Sequence, residues 1–380
     1  MSDVMDLSAA PKAYREEVSR RVLKELCHVF AERAEEHDDN GRVVLQNFSE
    51  LKRAGLLGLA VPRSVAGGGA DYDTLCKVIS DIARSCGSTA LTLAMHLHQS
   101  VILNCYRHQN RDIQHILEQV SSKALMLASS GGADGLNASG RAVKVRDGYI
   151  VNARKKGVSG AELADVLMTS AVLESESENI IHFSVPMHQA SVRIHQNWNA
   201  MGMRGTGSQE IILKDLFVPS GAIYERRTKG AWSHINHLTA MYAFPLIYAA
   251  YLGIAQAARD RVVAMGARFA ADQYKTIMVG TLDTALHAAH IAHQDMISAA
   301  VNTAPSLETT NRIMMGRSLV GREVLNVVEI ALDTVGGTSF QRGNPLERFF
   351  RDAQAARFHP LSEKQQQLLS GRLALNLDCS

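Results

Sequence analysis

The spacing of apolar residues predicts a helical start to the chain. Apolar side chains recur every three or four residues over 12–39 and 45–54, the pattern of amphipathic helices. Residues 75–106 repeat this pattern and contain only Gly87 as a helix breaker. We therefore predict an N-terminal α-helical domain over residues 1–122.

The pattern changes near residue 124 to short alternating segments rich in glycine and serine. Strands are predicted at 142–145 and 149–151, joined at Asp147-Gly148, a pair that favours the positive φ angles of a tight primed turn. Further alternating segments predict strands at 166–173, 180–185, 191–194 and 211–218. Residues 123–220 are expected to form an antiparallel β domain, a barrel or a sandwich.

Helical spacing returns at His237 and persists almost to the end of the chain. Long helices are predicted at 240–271, 282–301, 311–335 and 362–375. Long helices of this kind usually pack as bundles, so residues 221–380 are expected to form a C-terminal helical bundle. The fold class is therefore α+β, with a β domain between two helical domains.

Composition and charge argue against several classes of function. The 380 residues are 46% hydrophobic and 21% charged, and 40 basic against 38 acidic residues leave a net charge of only +2. No dense basic run is present, so nucleic acid is not expected as a partner. The five cysteines lack metal-site spacing, and the histidines at 287, 290 and 293, spaced by three without a nearby carboxylate set, indicate a metal only weakly, so no metal is expected. Without a signal peptide or a bilayer-length apolar stretch, a cytoplasmic protein without membrane contact is expected.

Three motifs carry a resemblance to a known family. They are 55–62 (GLLGLAVP) with the glycines of 67–69, 201–208 (MGMRGTGS) leading into LFVP, and Gly336-Gly337 followed by 345–353 (PLERFFRDA). In this order, and over nearly the whole chain, they resemble the acyl-CoA dehydrogenase superfamily of flavoenzymes. The resemblance implies an N-terminal helical domain, a central antiparallel β-barrel and a C-terminal four-helix bundle. It also implies a homotetramer or homodimer.

Two glycine- and serine-rich segments are candidates for a flavin site. Segments 127–132 (LASSGG) and 155–160 (KKGVSG) offer the short backbone stretches and small hydroxyls that the edges of an isoalloxazine ring need. In the family the corresponding strands line the flavin, and Ser159 falls where a hydroxyl lies near N5. The resemblance implies cofactor contacts from Ala128, Ser129, Ser130, Gly157, Val158, Ser159, Gly336, Gly337 and Thr338.

The sequence departs from the family around the cofactor. Gly157 stands where an aromatic residue usually follows the lysines, and the family's Arg-x-x-Phe-Gly stretch is not recovered around Arg268. Asp333 replaces a glutamine before Gly336. We therefore expect FAD to bind more loosely than usual, or FMN to replace it.

The most informative departure is at the catalytic base. Where many acyl-CoA dehydrogenases carry a glutamate, this chain has His359, and the family's alternative position reads 240–244 (AMYAF), without a carboxylate. Abstraction of an α-proton needs a base within hydrogen-bond reach, which a neutral imidazole could provide. The His-Pro stretch is also similar to the family's two-component monooxygenases, which take reduced flavin from a separate reductase. That branch places a further histidine on the helix before the β domain, for which His96 and His98 are candidates.

We therefore expect His359, Ser159, His96 and His98 to be catalytic in an oxygen-dependent monooxygenase acting on a small organic substrate. Because Pro360 disfavours helix at His359, its imidazole is expected on a loop facing the flavin and titrating near pH 6 to 7. Two alternatives stay open: an acyl-CoA dehydrogenase that passes electrons to an electron-transfer flavoprotein, and a non-catalytic flavin-binding or scaffold homologue. For each histidine a buried structural role is the competing interpretation.

Overall fold

The computed structural model describes residues 12–269 and 271–379, beginning with five helices. These are α1 (Lys12–Asn40), α2 (Leu45–Arg53), α3 (Tyr72–Ala83), α4 (Gly87–Tyr106) and α5 (Arg111–Lys123). The apolar segment 75–106 is helical as expected but forms two helices, because the chain turns between α3 and α4 just before Gly87. Gly87 begins α4 where a Cβ would lie 2.8 Å from Cδ1 of Ile254, so glycine lets α4 approach a C-terminal helix closely.

Eight strands form one mixed sheet in the middle of the chain. They are β1 (Leu127–Ser129), β2 (Arg141–Val145), β3 (Gly148–Val158), β4 (Val166–Leu173), β5 (Asn179–Pro186), β6 (Val192–His195), β7 (Gln209–Pro219) and β8 (Ile223–Thr228). A short helix, α6 (Gly131–Asp134), follows β1. Every predicted strand is present, and the predicted bounds of β4 match at both ends.

The sheet is not the antiparallel barrel that was expected. Its order runs β6-β7-β3-β2-β4-β5-β8, with β1 beside β4, so the described strands leave two open edges. β1 and β2 run parallel to β4, whereas the remaining pairs are antiparallel. The sequence pattern missed β1 and β8, because one has three residues and the other is mostly charged and polar. Through β8 the sheet reaches Thr228, beyond the boundary predicted at 220.

The hairpin between β2 and β3 is confirmed, but its turn differs from the expected one. Val145 pairs with Gly148, so Arg146 and Asp147 form the loop. Neither loop residue has a positive φ, and neither has Gly148. A Cβ on Gly148 would lie 2.2 Å from the carbonyl oxygen of Val218 on β7. Glycine is therefore required here for the close approach of a neighbouring strand, not for a primed turn.

The C-terminal part is a helical bundle. Its helices are α7 (His234–Val263), α8 (Gly266–Phe269), α9 (Gln273–Asn302), α10 (Leu307–Val335), α11 (Pro345–Ala353) and α12 (Glu363–Ala374). The three longest, α7, α9 and α10, pack on one another, and α12 packs on α10. The first of them ends at Val263 and not at the predicted residue 271. Although α7 is long and apolar enough to cross a membrane, 89% of its most apolar window is buried, as in the core helix of a bundle.

The two helical domains share one hydrophobic core. Buried side chains of α3 and α4 join those of α7, α9 and α10 in a single cluster, whereas the sheet has a separate core. A Cβ on Gly253 of α7 would lie 2.2 Å from the carbonyl oxygen of Ser80 on α3, so these helices touch through their backbones. This packing fixes the helical domains against each other. A cavity can therefore form where these domains meet the sheet.

Candidate functional site at the domain junction

A cavity with about 860 Å³ of empty space lies where the three domains meet. Its apolar wall includes Ile102, Met168, Trp232, Ile235, Phe244 and Met314. Its polar side chains are Gln99, Ser129, Ser130, Asp134, Thr169, Ser170, His182, Tyr224, Arg227, Asn236 and Thr239. An apolar cleft with a few convergent polar groups is the usual form of a small-molecule site.

Of the residues predicted to contact cofactor, Ser129 and Ser130 line this cavity. They lie at the end of β1, and the Ser130 hydroxyl is 2.7 Å from that of Thr169 and 3.0 Å from Oδ2 of Asp134. Ala128, in contrast, is fully buried in the core of the sheet. The segment therefore presents hydroxyl groups to the cavity and holds them through a neighbouring strand.

A buried ion pair, Asp134 with Lys155, stabilises this wall. Lys155 is fully buried, and its ammonium donates to Asp134 Oδ2 at 2.7 Å and to the carbonyl oxygens of Ser139 and Ser170 at 2.7 and 2.6 Å. Asp134 also accepts hydrogen bonds from the hydroxyls of Ser130, Ser139 and Ser170. Burial lowers the pKa of Lys155, and the neighbouring carboxylate opposes that shift. The sequence analysis missed this pair, although Lys155 occupies an inward position of alternating strand β3.

A second buried cation, Arg227, forms part of the same wall. It is 5% exposed on β8, and it donates from Nε to Nε2 of His182 at 3.0 Å and from its terminal nitrogens to the carbonyl oxygens of Leu136 and Gly135. Burial, followed by the charges of Arg227 and Lys155, lowers the pKa of His182 to about 3. His182 therefore stays neutral and accepts from the guanidinium.

Ser159 lies outside this cavity, at the end of a chain of hydroxyl groups. Its Oγ is 2.8 Å from Oγ of Ser208, which is 2.8 Å from Oγ1 of Thr206. The Thr206 hydroxyl donates to the carbonyl oxygen of Met203 at 2.8 Å. Since each hydroxyl has one proton, Ser208 donates to Thr206 and Ser159 donates to Ser208. Ser159 thus presents lone pairs, and no proton, to a group that approaches it.

The residues around Ser159 fit the edge of a flavin ring. Ser159 is partly exposed, and a Cβ built on neighbouring Gly157, at φ +65°, would meet nothing within 4 Å. An accessible hydroxyl beside open backbone is what a planar ring with hydrogen-bonding edges needs. Val158 is buried in the sheet core and supports this segment from behind.

Gly336, Gly337 and Thr338 lie elsewhere, where α10 ends. Gly336 terminates the helix at φ +83°, and Gly337 and Thr338 are exposed. The carbonyl oxygen of Thr338 accepts a hydrogen bond from Asn344. None of the three lines the cavity, so their predicted contact with cofactor stays a prediction.

His96 and His98 on α4 are buried and do not line the cavity. His96 donates from Nε2 to the carbonyl oxygen of Leu57 at 2.8 Å and accepts at Nδ1 from the Leu127 N–H at 3.0 Å. His98 donates from Nδ1 to the carbonyl oxygen of Ala94 at 3.1 Å and accepts at Nε2 from Gln99 at 2.8 Å. Burial lowers the pKa of each to about 4.

These contacts differ from the expectation that both imidazoles are catalytic. All four ring nitrogens are engaged within the protein, so His96 and His98 position other groups: the first fixes β1 against α4, and the second orients Gln99, which lines the cavity. A buried structural role was the competing interpretation for each histidine. A helix buried on all sides favours that role, because it supplies backbone partners for imidazoles.

The expectation that His359 faces the cavity is also wrong. Its backbone is extended, as Pro360 predicted, but Nε2 lies 2.6 Å from the hydroxyl of Tyr251 on α7, and the ring packs against Tyr248 and Tyr251. Pro360 and Leu361 line the cavity in its place. Burial, with a smaller contribution from the Arg317 charge, lowers the pKa of His359 to about 3, so it does not titrate near pH 6 to 7.

Arg317 on α10 holds the loop that carries His359. It is 3% exposed, and it donates to the carbonyl oxygens of His359 and Leu361 and to the hydroxyl of Tyr248. Sequence analysis missed it, since no local pattern distinguishes a buried helical arginine from an exposed one. Arg317 and Tyr251 together set the position of the Pro360–Leu361 wall.

Several known proteins are similar to this chain over most of its length. A 25% identical relative, the putative acyl-CoA dehydrogenase YdbM of Bacillus subtilis (strain 168), matches over 87% of this chain and 90% of its own. The flavin-dependent monooxygenase oxygenase subunit HsaA of Rhodococcus jostii (strain RHA1) is 24% identical over 90% and 94% of the two chains. The structure of XiaF from Streptomyces sp. in complex with FADH2 and glycerol superimposes with a TM-score of 0.82 at 20% identity, covering 97% of this chain and 98% of that one.

Family descriptions match all three parts of the chain. The acyl-CoA dehydrogenase N-terminal domain matches residues 9–112, the middle domain 128–216 and the C-terminal domain 246–363. The matches follow the chain in the order of the first helices, the sheet and the bundle. With its sheet between two packed helical domains and a cavity at their junction, this protein belongs to the acyl-CoA dehydrogenase family.

Proposed function

We propose that this protein is a flavin-dependent oxidoreductase that uses reduced flavin and oxygen to oxidise a small organic substrate. The observation that carries the proposal is the state of the carboxylate in the cavity wall. Among the described residues that line the cavity, Asp134 is the one carboxylate, and it is held by Lys155 and three serine hydroxyls. It is therefore not available as a base.

His359 does not replace that base. An α-proton abstraction needs a group within hydrogen-bond reach of the substrate carbon, and the Nε2 of His359 is engaged by Tyr251. Burial raises the pKa of Tyr251 well above its usual range, so the phenol keeps its proton. We propose that His359 acts as a positioning residue for Pro360 and Leu361, and that proton abstraction from an acyl thioester is not the reaction of this site.

The hydroxyl chain at Ser159 supports reduced flavin as the form that is bound. Ser159 donates to Ser208 and therefore offers an acceptor, which suits the N–H that a reduced flavin carries at N5 and an oxidised flavin lacks. A bound reduced flavin would supply the two electrons for activating oxygen. Ser159 holds the N5 edge in this proposal, Ser129 and Ser130 lie beside the pyrimidine end, and the apolar cavity wall excludes water from the substrate.

The remaining assignments follow from this chemistry. The cofactor is FMN or FAD, and a separate flavin reductase is the proposed partner, as the name of HsaA as an oxygenase subunit suggests by analogy. The proposed location is the cytoplasm. If FAD is used, Gly336 and the exposed Gly337 and Thr338 are proposed to contact its adenosine diphosphate in a neighbouring copy of the chain.

An acyl-CoA dehydrogenase is the second candidate, favoured by the similarity to YdbM over 87% of the chain. It would require a base that the described cavity does not offer. The third candidate is a non-catalytic homologue: a scaffold would bind no flavin, and a flavin-binding form would bind it without consuming oxygen or reacting with acyl-CoA.

The test is an anaerobic titration of the purified protein with oxidised and with dithionite-reduced FMN and FAD. The proposal predicts tighter binding of the reduced form, and oxygen consumption coupled to substrate once a flavin reductase and NADH are added. Tightly bound oxidised FAD that is bleached by acyl-CoA without oxygen would establish the dehydrogenase. Failure to bind flavin in either state would leave the scaffold homologue as the remaining candidate.

A further inference from the structure

Arg227 is the cation of the cavity that lacks a counter-charge. The neighbouring Lys155 is neutralised by Asp134 at 2.7 Å, but no carboxylate of the described residues lies within 4 Å of the Arg227 guanidinium. His182, which accepts from Arg227, is neutral. The wall formed by Asp134, Lys155, His182 and Arg227 therefore carries one excess positive charge in a buried setting.

Such a charge is costly unless something pairs with it. Removing an ion from water without a partner is unfavourable, so buried cations are normally paired or directed at a ligand. Carbonyl oxygens of Gly135 and Leu136 partly compensate Arg227 but bring no net charge.

The hydrogen-bonding capacity of Arg227 is also incompletely used. A guanidinium has five N–H groups, of which three donate to His182, Leu136 and Gly135. Each terminal nitrogen keeps one N–H for which the described residues offer no acceptor. Because Arg227 lines the cavity, these donors suit an oxygen atom of a molecule bound there.

We propose that Arg227 is the binding site for the oxyanion head group of the substrate, which is a small organic acid with an apolar body. The apolar side chains Ile102, Trp232, Phe244 and Met314 would cover the body, while the carboxylate or a similar oxyanion pairs with Arg227. The inference rests on the proposed function only in calling this ligand the substrate. The binding itself requires neither flavin nor oxygen.

The surrounding charges favour a monoanion over a more highly charged ligand. Asp134 lies on the same wall, and its negative charge is balanced by Lys155, so one positive charge is left for the ligand. The apolar lining of the cavity favours an aromatic or alkyl body for that acid. Since both a guanidinium and a carboxylate keep their charge from pH 6 to 8, binding is expected to be independent of pH in that range.

The experiment uses the flavin-free full-length protein and three acids with their primary amides: benzoate, phenylacetate and 2-naphthoate. Thermal unfolding and calorimetry should show at least one acid binding tenfold or more tightly than its amide. Benzenesulfonate and phenyl phosphate serve as further arms and identify which oxyanion is preferred. No preference of any acid over its amide would overturn the inference.

Variants separate binding from folding. Arg227→Gln removes the charge and retains an amide donor, and it should remove the preference for the acid while amide affinity stays within twofold. Arg227→Lys keeps the charge and should retain part of the preference for the acid. It provides the test if Arg227→Gln destabilises the protein. The matched control is Arg226→Gln on the same strand, an exposed residue that donates to Tyr149, which should leave acid binding unchanged.

Two outcomes separate this inference from the proposed function. If acids bind through Arg227 while the flavin titration fails, the subsite stands and the monooxygenase proposal falls. If Arg227→Gln weakens FMN binding and leaves acid binding intact, the anion at Arg227 is the phosphate of the cofactor, and the inference is wrong.

Discussion

The hydroxyl of Tyr251 lies 2.6 Å from Nε2 of His359 and joins the central helix of the bundle to the loop that closes the cavity. Both partners are polar groups in an apolar environment, and neither reaches the cavity itself. The pair therefore serves as a structural connection at the residue that the sequence resemblance aligned with a catalytic base.

Breaking this pair should destabilise the protein. Tyr251→Phe leaves the imidazole without its partner, and His359→Leu leaves the phenol unpaired, so each should lower the free energy of unfolding by about 1–3 kcal/mol. The double variant should lose less than the sum, because both polar groups are then gone. Urea unfolding measures this, with exposed Arg357→Ala as the control. Additive losses would show that the contact contributes nothing.

Acid should destabilise the protein through its buried histidines. The pKa is lowered to about 4 for His96, His98 and His293 and to about 3 for His182 and His359. Since their pKa values are lower in the folded state than in the unfolded one, the unfolded state binds more protons once the pH falls below about 6.5. Each should lower the free energy of unfolding by about 1.4 kcal/mol per pH unit between pH 6 and 4.

Asp352 opposes this trend in part. Burial raises its pKa to about 6, so the folded state takes up its proton first as the pH falls. His37, His237 and His290, whose pKa values burial also lowers, act in the same direction as the other histidines. The free energy of unfolding should therefore fall from pH 7 to 6 to 5, as measured by urea unfolding. His293→Gln should reduce the pH dependence of the unfolding free energy by the contribution of one histidine, about 1.4 kcal/mol per pH unit. Equal stability at pH 7 and 5 would contradict the assignment.

Removing Ser208 should change the preference of the site for the flavin redox state. Without the Ser208 oxygen, the Ser159 hydroxyl is free to turn its proton toward N5, which suits the oxidised ring. Ser208→Ala should lower the ratio of reduced to oxidised FMN affinity several-fold, and Ser159→Ala should weaken binding of reduced FMN. Anaerobic titrations measure both. An unchanged ratio in Ser208→Ala would disprove the directed hydroxyl chain.

The buried pair of Lys155 and Asp134 predicts a large asymmetry between single and double variants. Lys155→Met leaves an uncompensated carboxylate and should cost about 3–5 kcal/mol of unfolding free energy. Lys155→Met combined with Asp134→Asn should cost less, because no charge is then left buried. The control, Lys156→Met at the exposed neighbouring position, should stay within about 0.5 kcal/mol of the wild type.

The bundle helices predict self-association. On α9, Tyr274, Ile277 and Ile291 are 70%, 66% and 59% exposed, and on α10 Met315 and Leu319 are 41% and 46% exposed. Apolar side chains on the outer faces of long helices are typical of an interface between copies. Sedimentation should report a dimer or tetramer, and Ile277→Arg with Ile291→Arg should shift it toward the monomer. A wild-type monomer at every concentration would rule this out.

Local rules acting on the sequence determined the order of the elements. Helical and strand periodicity predicted the helical start, the strands β2 to β7 and the long helices of the bundle, since each depends on which side chains face a core. Motifs in order indicated the family, and Pro360 predicted the extended backbone at His359. The errors at this level were local: a turn without positive φ, and two short strands at positions with little apolar alternation.

The chemistry of the cavity was decided by tertiary structure. Lys155 and Arg227 lie on different strands and become one charged wall only when β3, β4, β5 and β8 are assembled, and no local pattern records that only one of the two cations has a carboxylate partner. The same holds for His359, whose sequence position suggested a base but whose imidazole turns to Tyr251, because α7 brings a phenol within hydrogen-bond distance. Backbone conformation follows from short-range sterics, whereas the direction and charge state of a buried polar side chain depend on partners far away in the chain.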